Sequence, residues 1–339
     1  MRCIGGALLI AAFLSLPAGA QESASFYKDK TIQLLIGFPS GGGYDANART
    51  LARYLGRFIP GNPSIVPANM PGAGSLVAAN HLYNQAPADG SVIAIFASSS
   101  TMEPILGTKA ARFDPMKFGW IGSMAQEVAY CGVWQAPGVA STWKEVSEKE
   151  TIFGGGAAAA ITFQHPMILK NVLGAKGLRV ISGYPGTRDV NLAMNRGEVN
   201  GSCGLFGSSI KSQWSKQVQS GQIKLVIQMG YRKSSEFGDI PSVFDLAKTE
   251  EDRQVLEVHF HQQLLSRPFA TPPGVPADRL STLRAAFQAT MKDVEFLFEA
   301  QKVGLDIDPV TGEEIEAALA RFASFSPSVL KRAEEVMGR

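Results

Sequence analysis

Apolar residues recur along this chain in two alternating rhythms. Thr31 to Phe38 carries Ile32, Leu34, Leu35 and Ile36 in a nearly continuous apolar run, the pattern of a buried strand. After a glycine-rich turn, Ala48, Leu51, Ala52, Leu55, Phe58 and Ile59 recur at three and four. With Asp45 at its start, this stretch predicts a helix that the run from Pro60 to Pro63 stops. Ser64 to Pro67 reads as a short strand, residues 75–85 as a second helix, and Ser91 to Phe96 as another buried strand. Strand, helix, strand, helix, strand is the alternation of a parallel α/β unit. The segment from Trp120 to Cys131 looks like a crossing point, and the alternation restarts beyond it. There Thr151–Phe153, Leu178–Ser182, Val199–Phe206 and Ile223–Met229 read as strands, and residues 162–173 and 189–196 as helices. Further on, Gln254 to Leu265 reads as a strand. Leu280 to Val303 reads as one long amphipathic helix, with Leu283, Phe287, Met291, Val294, Leu297 and Phe298 on its inward face. Two helices, from about Glu313 and Pro327, close the chain.

The first twenty positions follow neither rhythm. Arg2 precedes a short apolar run from Ile4 to Leu16, and Pro17-Ala18-Gly19-Ala20 has the small residues of a cleavage site. This predicts a secretory signal peptide over residues 1–20, cleaved after Ala20. Past it, no run approaches the roughly 18 apolar residues that cross a bilayer. The 339 residues suit two domains; 45% of them are hydrophobic and 18% charged, as in a globular chain with a large core. The formal net charge of +2 supplies no basic field for nucleic acid. Cleavage would leave two cysteines, Cys131 and Cys203, in strand-like surroundings. In an oxidising compartment they predict a disulfide, with two buried thiols as the alternative.

Candidate chemistry is concentrated in loops. Phe38-Pro39-Ser40-Gly41-Gly42-Gly43-Tyr44-Asp45 places glycines between a buried strand and a helix. Backbone N–H groups can face one point there, backed by the positive end of the helix, which suits a carboxylate or phosphate. A plain tight turn is the other reading. Within this stretch Gly42 is expected to take positive φ and Tyr44 to form a wall, while Asp45 is either a helix cap or an acceptor for a ligand hydroxyl or amine. Arg49, four residues on, is expected to pair with Asp45. Gly154-Gly155-Gly156-Ala157-Ala158-Ala159-Ala160 repeats the strand–loop–helix position with almost no side-chain chemistry, so only its backbone could hold a ligand. No Walker loop, G-x-S-x-G, H-E-x-x-H or C-x-x-C occurs. His259 and His261 alternate on the expected strand without a third metal ligand nearby. No catalytic residue, metal or cofactor is therefore expected.

Five landmarks, in order, carry a family likeness: the stretch Ile36 to Asp45, Asn69-Met70-Pro71-Gly72-Ala73-Gly74, Pro87-Ala88-Asp89-Gly90, Tyr184-Pro185-Gly186 and Ala270-Thr271-Pro272-Pro273. From about Phe26 to the last helix, the chain resembles the Bug-type periplasmic receptors of tripartite tricarboxylate transporters. The resemblance implies an α/β, two-lobed periplasmic-binding-protein fold of type II-like form, each lobe a sheet flanked by helices and the ligand cleft between them. Residues 26–127 and 230–339 would form one lobe and residues 128–229 the other. Loop amides from both lobes would grip a carboxylate. Carried onto this chain, the ligand-binding positions are Phe38 to Asp45 and Ala97, Ser98 and Ser99 from one lobe. From the other come Gly155, Gly156, Ala157 and Ala158, then Tyr184, Pro185 and Gly186, then Phe206 and Gly207. The chain departs from the family pattern in its alanine-rich second loop, in Pro185, and in lacking an acidic residue beside Phe206-Gly207; Gln262 and Gln263 are candidates for the distal wall. The resemblance implies a monomeric periplasmic protein that captures a small organic acid and delivers it to membrane transporter subunits, without nucleic acid and without catalysis. A ligand sensor for a signalling partner and a secreted α/β enzyme acting on a small carboxylate or ester are the competing readings.

Overall fold

The structure, a computed structural model, describes residues 26–322 and 324–338. The expected signal peptide lies outside the described residues. Among them, no helix is long and apolar enough to cross a membrane.

Two sheets organise the chain. The first contains β1 (Thr31–Ile36), β2 (Ser64–Asn69), β3 (Val92–Ile95), β4 (Gly119–Ser123), β10 (Pro268–Thr271) and β11 (Val310–Thr311), in the order β11-β4-β10-β3-β1-β2. β1 lies between β2 and β3 and is parallel to both. Such an interior strand is covered on both faces, which explains its run of apolar residues. β10 is inserted antiparallel between β3 and β4. The second sheet contains β5 (Ala129–Trp134), β6 (Thr151–Gly154), β7 (Leu178–Ile181), β8 (Gly201–Phe206) and β9 (Ile223–Met229), in the order β7-β6-β8-β5-β9. Its parallel half, β7-β6-β8, comes from the second alternation; β5 joins it antiparallel to both β8 and β9. The chain passes from the first sheet to the second at Met124–Val128 and returns after Met229.

The helices flank these sheets. They are α1 (Gly43–Leu55), α2 (Leu76–Asn84), α3 (Trp143–Glu148), α4 (Ile161–Asn171), α5 (Thr187–Asn195), α6 (Glu250–Phe260), α7 (Ala277–Thr290), α8 (Val294–Lys302), α9 (Gly312–Phe322) and α10 (Pro327–Val336). One apolar core runs without interruption from Leu35, Phe96 and Trp120 of the first unit to Phe153, Ile168 and Leu169 of the second.

Two expected elements take another form. Gln254–Leu265 is not a strand: α6 runs to Phe260 and a 3-10 turn, His261–Leu265, follows. Thr249 caps α6 by accepting from the Asp252 amide, and Glu250, Glu251 and Asp252 fill its first turn. Those signals outweigh the two-residue alternation of the histidines. Nor is Leu280–Val303 one helix. α7 ends at Thr290, and Asp293 starts α8 by accepting from the Phe296 amide at 2.8 Å. The break turns the expected inward face around: Val294 is 79% and Phe298 69% exposed.

Candidate functional site

A cavity of about 370 Å³ lies between the two sheets, within the range of small-molecule sites. Its first wall is the loop after β1. Gly41 adopts φ +85°, which suits glycine. Asp45 closes the loop from inside α1: Oδ2 accepts from the Gly41 amide at 2.9 Å, while Oδ1 accepts from Arg49 Nε and Asn69 Nδ2, each at 2.8 Å. Asn69 also donates to the Phe38 carbonyl at 2.8 Å. Arg49 thus pairs with Asp45 as expected. Asp45 is committed to shaping the loop and does not line the cavity; the N-cap of α1 is Gly42, with φ −88°. The positive φ expected of Gly42 belongs to Gly41. A Cβ at Gly42 would meet nothing closer than 3.8 Å, whereas one at Gly43 would lie 2.4 Å from Ser209 Oγ and 3.3 Å from Arg267 Nη2.

Tyr44 is a wall, with its ring stacked on Phe38 at 4.6 Å and its hydroxyl accepting from the Ser98 amide at 3.3 Å. Burial pushes the Tyr44 phenol up, more than the neighbouring Arg267 pulls it down, so it stays neutral. Arg267 is 1% exposed. Its guanidinium is held between the rings of Tyr44 and Phe206, 4.6 and 4.4 Å from their centres. Glu127, at the crossing between the sheets, pairs with its Nε at 2.9 Å and accepts from the Ser208 amide at 2.9 Å. The carboxylate missing from the sequence around Phe206-Gly207 is therefore supplied from Glu127.

Three helices point their N-termini at this cavity. Gly42 and Gly43 open α1, Ala160 and Ile161 open α4, and Gly186 and Thr187 open α5; all six residues line it. None of the three N-caps uses a side chain. Away from the cavity, α3, α6, α8 and α10 are capped by Thr142, Thr249, Asp293 and Ser326. An uncapped N-terminus leaves amide donors and positive partial charge unpaired, which is the chemistry of an anion site.

Of the expected positions, the cavity gathers Phe38, Pro39, Ser40, Gly42, Gly43 and Tyr44 on one side. Opposite stand Gly156, Ala157, Tyr184, Pro185, Gly186 and Phe206. The remainder lie behind the wall. Ser99 donates to the Ala159 carbonyl at 2.8 Å, and the Ala97 amide to Ser75 Oγ at 2.8 Å, so Ala97, Ser98 and Ser99 serve the scaffold. Gly155 donates to Ile181 O at 2.8 Å, and the Gly156 amide, although its residue lines the cavity, is spent on Thr162 Oγ1 at 2.9 Å. Ala158 also lies outside the lining, and the Gly207 amide is turned to the Val128 carbonyl at 3.3 Å. Gln262 and Gln263 do not reach the cavity; their amides donate to the carbonyls of His259 and Met229. No cluster of three metal-ligating side chains occurs among the described residues.

The lining also includes residues that the sequence reading passed over. Gly72, Ala73, Gly74 and Ser75 all have positive φ, at 142°, 48°, 67° and 78°. Two of these are not glycine, an unusual concentration of backbone strain. Its only sequence signal was the loop Pro71-Gly72-Ala73-Gly74. Arg267 had a clearer one, a lone charge in the otherwise uncharged stretch Gln262 to Thr271. Ser209 and Arg188 gave none.

No family model matches the chain. It is 25% identical over 233 residues to a UPF0065 protein of Cupriavidus necator, spanning 67% of each chain. Among solved structures, the periplasmic binding protein BugD aligns with a TM-score of 0.69 at 16% identity, over 91% of this chain and 98% of its own. An R. palustris protein solved with adipate aligns with a TM-score of 0.70 at 16% identity, over 90% and 97%. Two α/β sheets flanked by helices, aligned over nearly the full length of these structures, give this chain the two-lobed fold of the Bug-type periplasmic binding proteins.

Proposed function

We propose that this protein is a periplasmic solute-binding receptor that captures a small carboxylate between two lobes and hands it to the membrane subunits of a tripartite tricarboxylate transporter. The observation that carries the reading is the meeting of three uncapped helix N-termini, from both sheets, at one cavity. Backbone donors of that kind hold an anion without needing a matching charged side chain. The adipate in the R. palustris structure is the same class of ligand. On this reading the lobes are 26–127 with 230–339, and 128–229. They hinge at Met124–Val128 and beyond Met229 and close over the ligand, and the N-terminal segment 1–20 directs export to the periplasm. The cavity-lining positions from Phe38 to Tyr44 and from Gly156 to Phe206 form the grip.

Thermal melting with a panel of mono-, di- and tricarboxylates tests the proposal. A ligand at a thousandfold excess over its dissociation constant stabilises the folded chain by about 4 kcal/mol, which is a shift of several degrees. Shifts produced by neutral sugars or amines, with none from any carboxylate, would overturn it.

A further inference from the structure

The cavity's charges are distributed unevenly, and this bears on the class of acid it takes. The inference rests on the carboxylate receptor proposed above. At the inner end, the first residue of α1, Ser209 and Arg267 meet; Gly43 is the residue whose lack of a side chain lets them approach. Arg267 spends its Nε on Glu127 and its Nη2 on Ser208 and Ser209, at 3.2 and 3.4 Å, while Nη1 donates to no protein acceptor. A buried cation with a spare donor, beside an uncapped helix N-terminus, is built to meet one carboxylate.

The rest of the wall offers a second carboxylate little. Ala157, Ala160, Ile161 and Pro185 present only carbon, and Thr162 Oγ1 is already taken by the Gly156 amide. The two remaining charged side chains, Arg188 and Asp189, are consecutive on the first turn of α5, of opposite sign and outside the buried interior. We infer that the ligand is a monocarboxylate with an apolar aryl or branched-alkyl body, its carboxylate at Gly43, Ser209 and Arg267 and its body against Ile161, Ala157 and Pro185. A second carboxylate on that body would be stripped of water against a carbon wall, which is costly without a partner.

Calorimetry on the full mature chain with matched pairs decides this: hexanoate against adipate, benzoate against terephthalate, and benzoate against benzamide. The monocarboxylates are expected to bind at least about tenfold tighter than their dicarboxylate or amide partners. Ile161→Ser should weaken benzoate by about tenfold and narrow its margin over terephthalate. Ser209→Ala, a small change that spares the Arg267–Glu127 pair, should weaken both acids alike. Adipate and terephthalate binding as tightly as their partners, or Ile161→Ser leaving the margin unchanged, would overturn the apolar-monocarboxylate assignment and leave the carboxylate receptor standing. Benzamide binding as well as benzoate, or no carboxylate binding at all, would overturn both.

Discussion

Three consecutive glycines stand at the head of α1, and they do different things. Gly41 supplies the left-handed residue of the turn, Gly42 caps the helix with room to spare, and Gly43 lets the helix start against Ser209 and Arg267. Gly43→Ala should therefore weaken carboxylate binding by about tenfold or more, the loss of one charge-assisted hydrogen bond. Gly42→Ala should stay within about threefold of the parent. Calorimetry of both folded variants checks this, and the opposite order would remove the α1 start from the grip. Sequence could locate the glycine loop but not divide its roles, because neighbouring glycines share one propensity. What divides them is Asp45, whose carboxylate takes the Gly41 amide and so fixes which glycine turns. Arg267 and Glu127, 140 positions apart in the chain, became a site feature only once β10 and the crossing segment were adjacent. No local pattern encodes such a meeting.

Local pattern served the elements well where burial and period agreed. β1, β3 and the parallel half of the second sheet follow from their apolar runs, and α1 from its three-and-four spacing. It failed where a single capping residue decided the outcome, at Thr249 for α6 and at Asp293 for the break before α8. Pairing of strands was legible only through the cysteines. In the structure Cys131 on β5 and Cys203 on β8 are joined as a disulfide, across antiparallel neighbours and 72 positions apart. A closed loop of that length stabilises the fold by about 4 kcal/mol in the chain-entropy account. Reduction, or Cys131→Ser with Cys203→Ser, should lower the denaturant midpoint accordingly. Intact mass after alkylation without reductant should show no modified thiol on either residue; two alkylatable thiols in exported protein would refute the bond.

At the scale of the whole molecule, the two sheets are joined by a seam as well as by the crossing strands. Gln164 on α4 donates to Glu103 at 2.6 Å, and Asn171 to the Val336 carbonyl at 2.5 Å. Between those bonds His165 is buried against the Phe260 ring, 5.2 Å away, and neither of its nitrogens has a hydrogen-bond partner. Burial, with a smaller contribution from His259, lowers its pKa from 6.5 to about 3. The folded value lies below the unfolded one, so the unfolded chain binds more protons between the two. Stability is complete above pH 6.5 and is lost as pH falls from there toward about 3, with a slope approaching about 1.4 kcal/mol per pH unit for one proton. His261, also lowered by burial, adds in the same direction. His165→Leu removes the protonation while keeping an apolar side chain in a site that offers the ring no hydrogen bond. The variant should match the parent above pH 7 and lose less stability than the parent between pH 6 and 4. Denaturant titrations at stepped pH measure both curves. Parallel curves would show that His165 is protonated without cost in the fold, and that the seam opens by some other route under acid.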